Sequence, residues 1–305
     1  MHTFAMAKND WAQVVLSATL FFLTVFCVLS SCGKAADLHW VGGDGNWSER
    51  ENWDPKQVPS GSDNARVYGG IPTVKDMSGA FQIYIGGRQG ESGEVKVIGP
   101  GKLGVQNNIY TGGSGGIGRL IVEGGGNVST GGISIGEFLN GSGGVEIRHP
   151  DSMVNSDGLI IGKLAEGYMT VEDGGKVNSG EITWLGYNVG ANGSATVKGA
   201  GSRWQQNDRL LVGYEGQGSV AVEDGGTVVS EFVGIGGADA GDGTRFGVGS
   251  VTVTGANSSW ISNSTVRVAG GDASSIMGNG IGELRIREGG AFSSGSSQNS
   301  ENKAR

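Results

Sequence analysis

The sequence predicts an all-β chain: a right-handed parallel β-helix of about eight coils behind a Trp-rich N-terminal cap. Three observations point there. Glycine supplies 61 of the 305 residues, against an average near 7%, so turns must be very frequent. Short apolar-x-apolar runs alternate with small polar turns, as in VTVTGANSSWISNSTVRVAGG, residues 251–271. Similar segments also recur along most of the chain. Collagen is excluded because there are only 5 prolines and no three-residue glycine period. Disorder is excluded because 37% of the residues are hydrophobic and they are patterned.

Residues 1–36 read as a leader. The uncharged apolar run VVLSATLFFLTVFCVLSS, residues 14–31, follows a start carrying His2, Lys8 and Asp10. This is the arrangement of an export signal, and at eighteen residues it is also borderline for a membrane anchor. The run ends in LSSC and then Gly33. That resembles a bacterial lipobox, which implies lipidation of Cys32. Ordinary cleavage after Ala35 and an uncleaved anchor are the alternatives. Cys27 and Cys32 are the two cysteines of the chain. An exported body beginning near residue 37 therefore has no internal disulfide and needs another source of cohesion.

Residues 37–92 are read as the cap and first strands. Trp40, Trp47 and Trp53 offer either an aromatic platform for sugar rings or a cap over the open end of the stack; the cap is the favoured reading. Repeats occupy residues 93–294. They start at Gly93, Gly118, Gly144, Gly167, Gly193, Gly218, Gly249 and Gly282, at intervals of about 23–33 residues. Each begins with G-x-[VLMA]-x-[VI], turns through Gly or Asp, and adds a short second strand. It closes with apolar-x-apolar-Gly, as in ISIG, LIIG and LLVG. A unit of this size cannot bury its own apolar side chains, but stacked units can. Eight coils at about 4.8 Å make a rod about 40 Å long. Val222 and Ile235 are expected inside it. Trp204 and Trp260 take the slot held elsewhere by Val177 and Val228, so they are expected to stack in the core. Residues 236–249 read as a bulging loop carrying Asp239 and Asp242, and residues 295–305 as a polar disordered tail.

VEDGGKV and VEDGGTV alternate with VKGAGSRW and VTGANSSW, after the opening WVGGDGNWSERENWDPKQVPSGSDNARVY. This resembles the repeat of type V secretion (autotransporter) passengers and PEP-CTERM-associated surface proteins, over about residues 38–294. The resemblance implies a bacterial, exported β-solenoid. The ending SSGSSQNSENKAR matches neither a membrane barrel nor a PEP sorting signal. Either the leader is then the sole anchor or the chain is a truncated form.

Chemistry-bearing motifs are sparse. Glu172-Asp173 and Glu223-Asp224 recur at one turn, with Glu123 and Glu288 nearby. Paired carboxylates suit acid–base work or hard cations, but at a turn edge they read as solvated residues. GSGGIG, within residues 112–120, is a chance match in a glycine-rich chain. A lyase-like cluster would draw on Asp157, Glu181, Asp208 and Arg209. No catalytic, cofactor-binding or metal residue is assigned, and no cofactor is expected. The net charge of −8 argues against nucleic acid.

The expected role is therefore non-enzymatic: an exported structural, adhesive or matrix solenoid at the bacterial cell surface. It would meet extracellular glycans or other surface proteins, and touch membrane through the N-terminal anchor alone. The expected location is the outer membrane or cell surface, with secretion as the alternative. A carbohydrate-active β-helix that binds or cleaves acidic polysaccharide is the second reading. Convergence of acidic, basic and aromatic side chains in one external groove would favour it.

Overall fold

A computed structural model describes residues 35–237, 246–269 and 280–295. Cys32, Asp239 and Asp242 lie outside the described residues. From Asp37 onward the chain forms one compact unit. It is a parallel β-solenoid, and its only helical piece among the described residues is the 3-10 turn Arg50–Asn52.

Each coil contributes three strands. The first strands stack into a ten-stranded sheet from Asp44–Asn46 to Ile281–Arg287. Eight of them are the sequence repeats, and Asp44–Asn46 and Gly69–Val74 precede those in the same ladder. The second and third strands form a 17-stranded sheet that wraps the other sides. In Lys102–Thr111, Asn127–Ile135 and Met153–Ile161 they run on as one strand; in later coils they separate.

Register is kept without slippage along the first-strand ladder. Gly118 pairs with Gly93 and with Gly143, and Gly143 with Gly167. The third repeat therefore starts at Gly143 rather than Gly144. Starting there puts Val145 and Ile147 inward, with Leu120 and Val122 before them and Met169 and Val171 after, all buried. A one-residue shift would have turned every apolar side chain outward. Val222 and Ile235 are both fully buried.

The third strand ends at a glycine for steric reasons. Gly162 has φ +72°, and a Cβ there would lie 2.3 Å from the Asn192 carbonyl oxygen of the next coil. No L side chain fits that corner. Residues 238–245 and 270–279, in the last two repeat intervals, lie outside the described residues.

Apolar burial accounts for two sides of the core. The second strand adds a polar file: Ser156, Ser179, Gln206, Ser230 and Ser262 point inward and are 5% exposed or less. Each is satisfied locally, as buried polar groups must be. Ser156 Oγ donates to the Gly158 carbonyl at 2.6 Å, and Ser262 Oγ to that of Glu231 at 3.2 Å. Ser179 and Thr183 both donate to the Gln206 amide oxygen.

At the N-terminal end, Asp37–Trp40 pairs parallel with Asn64–Val67 and antiparallel with Trp53–Asp54. Trp40, Trp47 and Trp53 pack edge to face, with centroids 5.1 and 4.8 Å apart. Their exposures are 6%, 0% and 1%, which leaves no ring face free for a sugar. Trp53 Nε1 donates to the Trp47 carbonyl and Trp40 Nε1 to that of Gly43, each at 2.8 Å.

Candidate functional site

The outer surface carries different chemistry on each side of the coil. Along the first-strand side, charges interlock. Arg119 reaches Glu94 at 3.6 Å and Glu146 at 3.8 Å, and Arg148 reaches Glu123 at 2.7 Å. The Glu123 hydrogen bond holds the Arg148 guanidinium above its ordinary pKa. Tyr168 donates to Glu146 at 2.9 Å. Its phenol is pushed up to about 12, first by burial and then by that hydrogen bond. The network is compensated within itself and leaves no charge reserved for a ligand.

The second-strand side is polar and small. A shallow depression of about 670 Å³ runs over Gly79 and Gly104 beside Lys102 and Gln106. A smaller one of about 240 Å³ continues over Ser129, Asn155, Asp157, Asn178 and Asn207. Asn178 donates to Asn155 at 2.8 Å, as an amide ladder does. The sequence-selected group Asp157, Glu181, Asp208 and Arg209 sits at the corner next to this side. Glu181 N donates to the Asp157 carbonyl at 2.5 Å, and Arg209 lies 3.9 Å from Asp208. The four residues are stacked along one edge, not set across a groove. The turn acids lie at the opposite end of the second strands. Asp173 and Asp224 have φ of 51° and 48° and are exposed. Among the described residues, no group of three or more His, Cys, Asp or Glu is arranged to hold a metal ion.

Trp204 and Trp260 are fully buried in the second-strand slot. Trp204 Nε1 donates to Ser179 Oγ and Trp260 Nε1 to Ser230 Oγ, each at 3.0 Å. Both therefore stack on the preceding coil, and neither lines an external groove.

The outward file of the third strands carries Tyr84, Tyr110 and Trp184 among Ser134, Ile160, Leu211 and Gly234, and a concavity lies at its N-terminal end. Its volume is about 440 Å³, and it is lined by His39, Arg66, Tyr68, Tyr84, Arg88, Glu91, Ser114 and Phe138 together with glycines 86, 87 and 113. The ladder explains the assembly. His39 pairs with Arg66, Arg66 with Tyr84, and Tyr84 with Tyr110. All four take the outward middle position between two inward residues of the third strand. Tyr84 and Tyr110 stack at 5.0 Å, and the Arg66 guanidinium covers the other face of Tyr84 at 4.6 Å. Burial first, and then Tyr110, raise the Tyr84 pKa.

Arg66 is fixed from three directions. Besides Tyr84, it donates to Tyr68 Oη at 2.9 Å and to Asp37 at 3.0 Å. Burial favours the neutral form of Asp37, but Asn64 and Arg66 outweigh it and hold the carboxyl below its ordinary value. Around this floor run two rims. Arg88 N donates to Glu91 Oε2 at 2.6 Å, closing the 88–91 turn. A Cβ on Gly87 would lie 2.1 Å from that same oxygen and 2.7 Å from the Tyr68 ring, so the rim can approach Tyr68 only as glycine. On the other side Phe138 is 40% exposed. Its neighbour Glu137 is held by Ser134 and by Lys163 Nζ at 2.8 Å, which fixes the corner carrying the ring.

Sequence reasoning missed this site. Its one signal was the outward residue between two inward ones of the third strand: Arg66, Tyr84 and Tyr110 hold that position in three successive coils.

No family model matches the chain, and no solved structure matches it. It is similar to a protein described as the uncharacterized lipoprotein YdeK of Escherichia coli (strain K12), at 28% identity over 137 residues. The match covers 43% of this chain and 10% of that protein, so the relative is far longer. A β-solenoid with such a relative is compatible with surface exposure. No helix among the described residues is long and apolar enough to cross a membrane.

Proposed function

We propose that this protein is an exported, lipid-anchored β-solenoid that acts at the bacterial cell surface as a non-enzymatic adhesive element. The resemblance of its repeats to type V secretion and PEP-CTERM-associated proteins belongs to the same proposal. The observation that carries the adhesive reading is the N-terminal concavity. Aromatic, cationic and acidic side chains converge there within one depression. Convergence favours the carbohydrate-directed form of adhesion, and binding over cleavage. Arg66 is locked by Asp37, Tyr68 and Tyr84, and an arginine so held is unsuited to act as a general base.

Two measurements test this reading. The chain from Asp37 onward, screened on glycan arrays and whole cells, is expected to bind a saccharide class without releasing reducing ends from it. Product release would replace adhesion by catalysis, and absence of binding to any glycan or cell would leave a spacer role. Wild-type protein is expected to take up palmitate and fractionate with membranes, and Cys32→Ser to do neither. Identical fractionation of the two would remove the lipid anchor.

A further inference from the structure

We infer that the N-terminal concavity is a binding site for a carboxylated saccharide, with Arg88 receiving the carboxylate. The inference rests on the adhesive reading and narrows it to one ligand class.

Charge accounting within the site singles out Arg88. Arg66 is already paired with Asp37 at 3.0 Å. Glu91 has one oxygen occupied by the Arg88 backbone N–H. The Arg88 side chain is exposed and has no ion-pair or hydrogen-bond partner among the described residues. Its guanidinium donors are thus free at the rim, on the same turn as the Glu91 carboxylate, and a guanidinium matches a carboxylate through two parallel N–H···O bonds.

The remaining surface fits a sugar ring. Phe138 offers a partly exposed ring that packs on no other aromatic, and a saccharide presents C–H groups to such a surface. Glu91 and Ser114 line the same concavity and supply an acceptor and a hydroxyl for ring hydroxyls. The volume of about 440 Å³ falls within the roughly 300–1,000 Å³ of small-ligand pockets. A peptide added as an extra strand needs an unpaired sheet edge. None is offered here, because the strand of Tyr84 is paired on both sides, to Asn64–Val67 and to Lys102–Thr111.

The test titrates the chain from Asp37 onward with trigalacturonate and with its fully methyl-esterified counterpart, by calorimetry. The acid is expected to bind about 10-fold to 100-fold more tightly than the ester, the range of one charge-assisted contact. Added salt should weaken acid binding preferentially. Arg88→Gln is expected to bring the acid down to the affinity of the ester, and Phe138→Ala to weaken both. Both positions are exposed, and unchanged circular dichroism would verify that each variant folds. Equal affinity for acid and ester, or an Arg88→Gln variant that keeps its preference, would overturn the inference. A neutral glycan captured in the array screen would then leave the adhesive reading standing. Competition by polyglutamate as effective as by trigalacturonate would show that the site reads carboxylates without a sugar, and would also overturn it.

Discussion

From the Ile117–Glu123 coil onward, coils that turn with two left-handed residues and coils that turn with a longer loop alternate, and they do different jobs. The short form closes after Glu123, Glu172, Glu223 and Arg287. Asp173 and Gly174 both have positive φ, at 51° and 88°, as do Asp224 and Gly225 at 48° and 90°. Two left-handed central residues with the Gly175 N–H on the Glu172 carbonyl at 2.9 Å make a type I′ turn. The long form, at His149–Ser152, Gly199–Ser202 and Gly255–Ser258, has one more residue and ends in a buried serine. Each serine accepts a hydrogen bond from a glycine N–H of the short turn before it. Ser152 accepts from Gly125 at 3.0 Å, Ser202 from Gly174 at 3.0 Å, and Ser258 from Gly225 at 2.9 Å. Two of the three long coils also carry the buried tryptophans, each bonded back to a serine of the short coil. The short coil leaves a backbone donor and a groove, and the long coil fills both. The structural period is therefore two coils.

Replacing an inward residue should cost most. Val222, in a short coil, is fully buried between Val197 and Val253. Val222→Asp places an unpaired charge among them and is expected to cost at least about 4 kcal/mol. Because solenoid stability resides in nearest-neighbour interfaces, the long coils on either side should open with it. Limited proteolysis is expected to cut near residues 192–260 first. Protease resistance like that of the wild type would mean that the inside–outside register is wrong.

Next comes the tryptophan. Trp204→Ala should destabilise by about 3–5 kcal/mol, as large-to-small core changes do. Val228→Ala, in the same ladder of the following short coil, removes far less volume and should cost less. Trp204→Phe separates the two contributions, since it keeps most of the apolar contact and removes the donor to Ser179. Urea unfolding followed by far-UV circular dichroism gives the comparison. Equal losses for Trp204→Ala and Val228→Ala would mean that the two coil types contribute alike and that the two-coil period has no energetic meaning.

Much of this alternation could be read in the sequence. VEDGG beside VKGAGSRW states the two turns outright, and the first and third strands follow the apolar period, because nearly every inward side chain there is apolar, Thr111 and Thr183 being the buried exceptions. Two features were hidden for physical reasons. Ser156, Ser179 and Ser230 share the period-two face of Val154, Val177 and Val228, but a hydroxyl by itself does not announce burial; they are buried because partners at the second corner or on the neighbouring coil satisfy them. The concavity was hidden because no segment contains it. His39, Arg66, Arg88 and Phe138 come from four different coils, and they meet through coil stacking, which a linear motif does not record. The acids Asp157, Glu181 and Asp208 were visible for the opposite reason: one charged corner residue per coil is what stacking produces without any ligand.

The smallest expected effect isolates the link between coil types. Ser202 is 1% exposed, and its hydroxyl meets the Gly174 N–H in a buried position. Ser202→Ala removes that acceptor and leaves a buried donor unpaired, at a cost of about 1–3 kcal/mol. The apolar contact changes little, so the loss should be local. Amide exchange at Gly174 is expected to accelerate, while exchange at Gly225, which depends on Ser258, should stay as in the wild type. Ser258→Ala should give the mirror result, with Gly225 accelerated and Gly174 unchanged. Acceleration of both amides by either substitution would show that the coils share one cooperative unit. Acceleration of neither would show that the serine contacts do not join the two coil types, and that backbone pairing alone sets their alternation.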